Sequence, residues 1–337
     1  MPVATRGALK LLDASDLDWL RPEVLLANTY HLMLRPGAQL IEEMGGIHRF
    51  SGWEGPYLSD SGGYQVFSLS PQVDAEGASF KSVYDGSLLR LTPASAVEAQ
   101  ERIGADIAMC LDVCSALPAE RGSLEADMER TLVWAGRCQA AHRRGDQALF
   151  GVVQGGTDLG LRARCAKQLV EMGFDGYGIG GLSVGESRPE MLSALAATLE
   201  VLPEDQPRYL MGVGDPLSLV EAISMGVDMF DCVLPTRLAR HGVALSWEGR
   251  LRLRAARFAR QAEPIEADCS CVVCARYSRA YLRHLLCVGE PTGGRLLSLH
   301  NLWWTGALVR SARAAIVEGS LAGLVGRVRR AWGSAEA

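Results

Sequence analysis

The feature that most constrains the fold of this 337-residue chain is a rhythm. Short apolar runs, each ending in a polar residue or glycine, alternate with longer stretches of helical period. The runs fall at 23–27, 56–58, 107–111, 149–153, 177–179, 208–211 and 229–230. Just beyond them stand Asn28, Asp60, Asp112, Gln154, Gly180 with Gly181, Gly212 with Gly214, and Asp231. Between them, 124–142, 158–172, 189–201 and 216–225 carry apolar residues at three- and four-residue intervals, as amphipathic helices do. Open doubly wound sheets and closed barrels both produce this βα alternation. Polar groups at the ends of many successive strands favour the barrel, whose active site collects all strand C-termini. The expected class is therefore α/β, a (β/α)8 TIM barrel forming a single catalytic domain over 1–337. Two stretches break the rhythm: a hairpin around Asp85-Gly86, and an irregular Arg- and Cys-rich segment from about 247 to 300. The second reads as an inserted metal-binding subdomain.

Composition narrows the class further. Hydrophobic residues make up 48% and charged residues 22% of the chain, which fits a soluble globular enzyme rather than a disordered or fibrous chain. The first dozen residues lack the apolar core of a secretory signal, and no run approaches the ~18 apolar residues of a membrane span, so the expected location is cytoplasmic, without membrane contact. A net charge of −5 excludes a generally basic nucleic-acid coat, although it averages over surfaces of different sign. Nine cysteines without a signal peptide suggest reduced thiols.

Three of those cysteines crowd together as Cys269-Ser-Cys271-Val-Val-Cys274, and His300 follows after 25 intervening residues. Thiolates on a tight knuckle plus one distant imidazole would close a tetrahedral, structural zinc site. His284 and Cys287 are alternatives for the fourth ligand.

The acidic strand ends each admit a functional and a plainer reading. Asp60, in Leu58-Ser-Asp-Ser-Gly-Gly-Tyr64-Gln, could serve chemistry beside glycines that admit a ligand, or cap a turn. Asp112 and Gln154 together offer a charge, a donor and an acceptor, the groups that read a purine's Watson–Crick edge. Each alone would suit a satisfied structural position. Asp231 precedes Cys-Val-Leu-Pro-Thr-Arg237 and Arg240, and could be a nucleophile, a metal ligand or half of an ion pair. From Arg237 to Arg260 seven arginines occur in 24 residues, a solvated face or a set of phosphate contacts.

Taken together, Ser59-Asp-Ser-Gly-Gly-Tyr-Gln65, Met109-Cys-Leu-Asp-Val-Cys114, Val153-Gln-Gly-Gly156, Gly180-Gly-Leu-Ser-Val-Gly-Glu186, Tyr209-Leu-Met-Gly-Val-Gly214 and Phe230-Asp-Cys-Val-Leu-Pro-Thr-Arg237 closely resemble the bacterial-type tRNA-guanine transglycosylases. The cysteine knuckle and His300-Asn301 match as well, so the resemblance runs through essentially the whole chain. It implies exchange of the wobble guanine of GUN-anticodon tRNAs for 7-aminomethyl-7-deazaguanine, in queuosine biosynthesis. By that resemblance Asp231 is the nucleophile that forms a covalent aspartyl-ribosyl intermediate and Asp60 the general acid/base. Asp112, Gln154 and the backbone at Gly181 and Leu182 would bond the purine, and Tyr64 and Met211 would sandwich its ring. Arg237 and Arg240 would contact RNA. One structural zinc on Cys269, Cys271, Cys274 and His300, and a homodimer, are also implied.

Cys114 and Leu182-Ser183-Val184 look like the bacterial form of the pocket for the base's 7-substituent. Eukaryotic members have glycine where Val184 stands, making room for the larger queuine; the plainer reading is that Val184 only packs beneath its loop. Three departures stand out. Family members carry a segment before the Met-Pro-Val match, which here begins at Met1, so the lower cap of the barrel is expected to differ. Leu238-Ala239 replaces the common Ser-Gly between the arginines, and Ser-Ala-Leu-Pro118 replaces Thr-Pro-Tyr-Pro. Two rival functions are a non-catalytic subunit of the same family, disfavoured by retention of both Asp60 and Asp231, and an unrelated phosphosugar barrel enzyme. The archaeal branch normally carries extra C-terminal RNA-binding domains, and the short stretch after the barrel leads to the expectation that this chain is not of that branch.

Overall fold

A computed structural model describes residues 1–69 and 71–333; residues 334–337 of the expected 1–337 domain lie outside the described residues. Seven strands form one parallel sheet: β1 (Leu25–Ala27), β2 (Tyr57–Ser59), β6 (Ile107–Met109), β7 (Ala148–Val153), β8 (Gly176–Ile179), β9 (Arg208–Leu210) and β10 (Met229–Phe230), each bonded to the next in that order. Their edges are joined by the first residues of the chain. Val3 bridges Leu26 of β1 and Pro2 bridges Cys232 just after β10, both in parallel sense. The Ala4 N–H donates to the Leu26 carbonyl at 2.6 Å and the Leu26 N–H to the Pro2 carbonyl at 3.0 Å. These two residues are the eighth stave of the expected barrel. A stave this short carries no strand pattern of its own, which is why only seven runs are legible in the sequence.

Leu26, Leu58, Met109, Phe150, Val152 and Tyr209 fill the barrel's interior. Phe150 of β7 faces Gly176 of β8 in register; a Cβ on that glycine would meet the ring at 2.4 Å, so the missing side chain makes room for the aromatic one. Helices cover the outside, and local chemistry sets their ends. Helix Pro93–Ile103 opens with a capping box between Thr92 and Ser95 and closes on left-handed Gly104. Helix Leu159–Met172 is capped by the Asp158 carboxylate, which accepts from the Leu161 N–H.

The expected hairpin at Asp85-Gly86 joins β4 (Ala78–Lys81) to β5 (Leu88–Leu91), with β3 (Gln72–Val73) added as a third antiparallel strand. The segment 247–300 is more regular than its composition suggests. A hairpin of β11 (Val243–Ser246) and β12 (Gly249–Arg252) precedes the cysteine knuckle, and helices Arg279–Val288 and Pro291–Val317 follow it. Leu282, Leu285 and Leu286 turn inward from the first of these, a stripe hidden in the sequence by the surrounding Arg and Cys residues. No described helix is long and apolar enough to cross a membrane.

Candidate active site and metal centre

Each barrel strand ends by delivering a side chain or a backbone turn to the same mouth. Asp60 directly follows β2, and the neighbouring end of β1 grips it. The Asn28 side-chain amide donates to its Oδ2 at 2.5 Å, and the N–H groups of Thr29 and Gly62 donate to Oδ1 at 2.7 and 3.2 Å. Burial nevertheless pushes the Asp60 carboxyl up to about 6; these three donors pull the other way, and the negative charge of Asp231 adds to the rise. A carboxyl tuned to that value can hold or release a proton near neutrality.

Asp231 follows β10. Both of its hydrogen bonds fall on one oxygen: Oδ1 accepts from the Tyr209 hydroxyl at 2.6 Å and from the Gly212 N–H at 2.7 Å. Burial, with Asp231 and Asp60 close by, raises the Tyr209 phenol well above its ordinary value, so it stays a donor. Oδ2 accepts no hydrogen bond among the described residues, and Asp231 forms no ion pair with Arg237 or Arg240 there. The carboxylate is thus oriented by one oxygen and open at the other.

Asp112, after β6, and Gln154, after β7, are almost fully buried and bonded to each other, with the Gln154 amide donating to Asp112 Oδ2 at 2.7 Å. Desolvation raises the Asp112 carboxyl to about 6 as well, against the hydrogen bonds from Gln154 and Ser61. The end of β8 packs directly on this pair. A Cβ on Gly181 would lie 2.2 Å from Gln154 Oε1, and its φ of +63° is one that side chains resist, so only glycine fits. Beyond the buried Leu182 the chain turns sharply at Ser183, which has a positive φ of 62°. Glu186 braces that turn by accepting from the Ser183 and Val184 N–H groups, the second at 3.0 Å. With the Ser183 N–H turned to Glu186, the Leu182 carbonyl lies on the opposite edge of the same planar peptide.

Tyr64 stands on the short helix Gly63–Phe67 and is 64% exposed. Met211, just past β9, is half-buried, its sulfur 3.2 Å from where a Cβ on Gly178 would sit. Burial and the nearby Asp112 push the Cys114 thiol up to about 12, which rules it out as a thiolate at neutral pH. Val184 is half-buried.

The metal-ligand set gathers as one group. One donor atom from each of Cys269, Cys271, Cys274 and His300 lies within 4.8 Å of the others. His300 Nδ1 faces the three sulfurs at 3.9, 3.5 and 3.4 Å, while Nε2 is 2.9 Å from the Leu245 carbonyl. That carbonyl accepts the Nε2 proton and leaves Nδ1 free as a ligand, the outer arrangement typical of metal-bound histidine. His284 and Cys287 are exposed on helix Arg279–Val288 and stand apart from the group. Next to His300, buried Asn301 donates to the carbonyls of Pro235 and Val243 and accepts from the Leu245 N–H. One helix therefore ties the metal group to the helix Leu234–Arg240 that follows Asp231.

A family model described as queuine tRNA-ribosyltransferase matches residues 1–334. Queuine tRNA-ribosyltransferases of Pelotomaculum thermopropionicum and Thermus thermophilus are each 50% identical to this chain, over 323 and 321 residues. Those alignments cover 95% of this chain and 87% and 83% of the relatives. The Symbiobacterium thermophilum protein of the same name is 47% identical, covering all of this chain and 85% of that relative. The chain belongs to the queuine tRNA-ribosyltransferase family. It is accordingly a transferase, a tRNA-guanine transglycosylase, and the unrelated phosphosugar enzyme is set aside.

In this queuine tRNA-ribosyltransferase family member, Arg237, Arg250, Arg252, Arg254, Arg257 and Arg260 are exposed and Arg240 half-buried. None of the seven pairs with an acidic residue among the described residues, although the chain as a whole is acidic. Arg250, Arg252 and Arg254 line a surface hollow of about 340 Å³ beside His241. Three site groups escaped the sequence reading: Tyr209 and Glu186, which orient other groups, and Arg162, a fully buried arginine behind Gln154 and Gly181. Its one signal is its place on the apolar stripe of helix Leu159–Met172, beside Leu161, Cys165, Ala166 and Leu169.

The raised carboxyls make a pH prediction. In the unfolded chain Asp60 and Asp112 titrate near 4, against about 6 when folded. The folded state therefore binds more protons across that window. Stability due to these groups is present below roughly pH 4 and is lost as pH rises through about 6. In urea unfolding between roughly pH 4.5 and 7, Asp112→Asn should lose less stability with rising pH than the wild type. Parallel pH profiles would contradict the assignment.

Proposed function

We propose that this enzyme exchanges the wobble guanine of GUN-anticodon tRNAs for 7-aminomethyl-7-deazaguanine, as a step of queuosine biosynthesis. The observation that carries the reading is the pair of differently held carboxylates at one barrel mouth. Asp231 is fixed through Oδ1 and open at Oδ2, whereas Asp60 is tuned near neutrality.

In this reading Asp231 Oδ2 attacks C1′ of the wobble ribose. The C1′–O bond forms as the C1′–N9 bond breaks, and Asp60 in its protonated form supplies the proton that guanine takes away. The incoming base then loses its N9 proton to the Asp60 carboxylate, attacks C1′ and displaces Asp231. Two inversions at one carbon give net retention. The Tyr209 and Gly212 donors stabilise the Asp231 carboxylate as it is released. Asp112, Gln154 and the backbone at Gly181 and Leu182 hold the flipped-out purine, and Tyr64 and Met211 flank its ring. Arg237, Arg240 and the unpaired arginines beyond them contact the phosphates, which is the role their lack of acidic partners suits. The working unit is a homodimer, which sedimentation at micromolar concentration checks against a monomer.

Val184 and the Leu182 carbonyl set the choice of base. The carbonyl accepts a charge-assisted bond from the aminomethyl cation, while the valine side chain takes the space that a larger 7-substituent needs; Cys114 lines the same region. Exchange assays with wobble-guanosine tRNA should give higher catalytic efficiency with 7-aminomethyl-7-deazaguanine than with queuine, and Val184→Gly should move the preference towards queuine. A wild-type preference for queuine would overturn this reading.

Three thiolates and an imidazole with its second nitrogen already engaged suit zinc, which bound there would serve structure rather than catalysis. The segment of about 247–300 is then a zinc-binding, tRNA-contacting subdomain within the barrel domain. Elemental analysis should find one zinc per chain, and Cys271→Ser should lose metal and weaken tRNA binding. Folded, active protein free of zinc would refute the assignment.

A further inference from the structure

Arg162 is the one arginine in the described structure with no accessible surface and only carbonyls for hydrogen-bond partners in two separate loops. Its Nε donates to the Gly156 carbonyl at 2.7 Å and its Nη1 to Val153 at 3.4 Å, both at the end of β7. Its Nη2 donates to the carbonyls of Gly180 at 2.8 Å and Gly181 at 3.2 Å, at the end of β8. It forms no ion pair among the described residues. Burying a guanidinium without a carboxylate is expensive unless its donors are met, and here carbonyl dipoles meet them. Burial lowers its pKa only to about 10, so the cation persists at neutral pH.

The planarity of the peptide bond gives this clamp its consequence. In a trans peptide the N–H points opposite to the C=O of the preceding residue. With the carbonyls of Gly180 and Gly181 turned to Arg162, the N–H groups of Gly181 and Leu182 must face the other way. Both residues are buried, and neither N–H has a hydrogen-bond partner among the described residues. Two adjacent backbone donors of buried residues without protein acceptors are free to take an acceptor from a ligand.

We propose that Arg162 is a positioning residue: its guanidinium locks two successive peptide planes so that the Gly181 and Leu182 N–H groups converge on the 6-oxo group of the bound purine. The inference rests on the base-exchange reading above and adds to it the group that sets its hydrogen-bond donors. The same guanidinium also fixes the loop that follows Val153, so it holds the Gln154 side and the Gly181 side of the pocket at one spacing. A lysine would keep the charge, but its single nitrogen cannot span both loops as the planar fork does.

The test is base exchange into wobble-guanosine tRNA by the zinc-loaded full chain, using guanine and 6-thioguanine, which changes only the acceptor at C6. For the wild type, 6-thioguanine should have the higher KM. In Arg162→Lys and Arg162→Gln the KM for guanine should rise by roughly tenfold or more, with kcat changed much less, because the lost contacts hold the base before reaction. The KM ratio between the two bases should fall towards one, while zinc content and the KM for tRNA stay near wild type. An unchanged ratio in a folded variant would overturn the proposal, as would losses in kcat and tRNA affinity that spare the ratio. Failure of both variants to fold would place Arg162 in the scaffold alone and overturn it too. A wild-type enzyme that exchanges neither base would remove the base-exchange reading itself, and this proposal with it.

Discussion

Closure of the barrel by its first residues is the constraint on which the rest depends. A seven-stranded parallel sheet alone has two free edges, and those edges are β1 and β10. β1 is followed at once by Asn28, the anchor of Asp60, and β10 by Asp231. With Pro2 and Val3 bridging the two edges, the carboxylates lie close enough for the Asp231 charge to raise Asp60. The functional geometry is thus a consequence of cyclic strand order, which puts elements about 170 residues apart around one mouth.

Within that mouth, backbone dipoles and hydrogen bonds set the character of each group more than charge pairing does. Asp60 has a side-chain amide and two backbone N–H groups, and Asp231 has a phenol and one N–H. Arg162 has four carbonyls. Such partners carry no net charge near neutral pH and most belong to the backbone, so the site is largely oriented before any substrate arrives, which is the condition for electrostatic preorganisation. The metal group belongs to the same scheme. His300 and Asn301 are neighbours on one long helix, one turned to the thiols and the other to the carbonyls of Pro235 and Val243. Ordering the cysteine knuckle therefore also orders the helix behind Asp231.

Much of this was legible in the sequence, for identifiable reasons. Barrel strands buried on both faces read as apolar runs, and the residue after each run marks the mouth; that placed Asp60, Asp112, Gln154 and Asp231 at strand ends, where the structure has them. The cysteine spacing singled out the metal group, and geometry chose His300 over His284 and Cys287. What escaped has physical causes. Pro2-Val3 is too short to show a strand period, and the helices after the knuckle are masked by Arg and Cys. Tyr209 and Arg162 sit on apolar faces, where a polar residue's partners are carbonyls or carboxylates distant in sequence and leave no local trace. The ion pair with Arg237 or Arg240, one of three readings that sequence left open for Asp231, does not form among the described residues, and the Tyr209 hydroxyl and Gly212 N–H hold the carboxylate instead.

The central claim is that the open oxygen of Asp231 takes the tRNA ribose onto the enzyme, and covalent capture tests it most directly. Enzyme mixed with wobble-guanosine tRNA and denatured during turnover should yield a protein–RNA adduct that mass spectrometry maps to Asp231, with none formed by Asp231→Ala. An adduct that survives in Asp231→Ala, or that maps to another residue, would contradict the account.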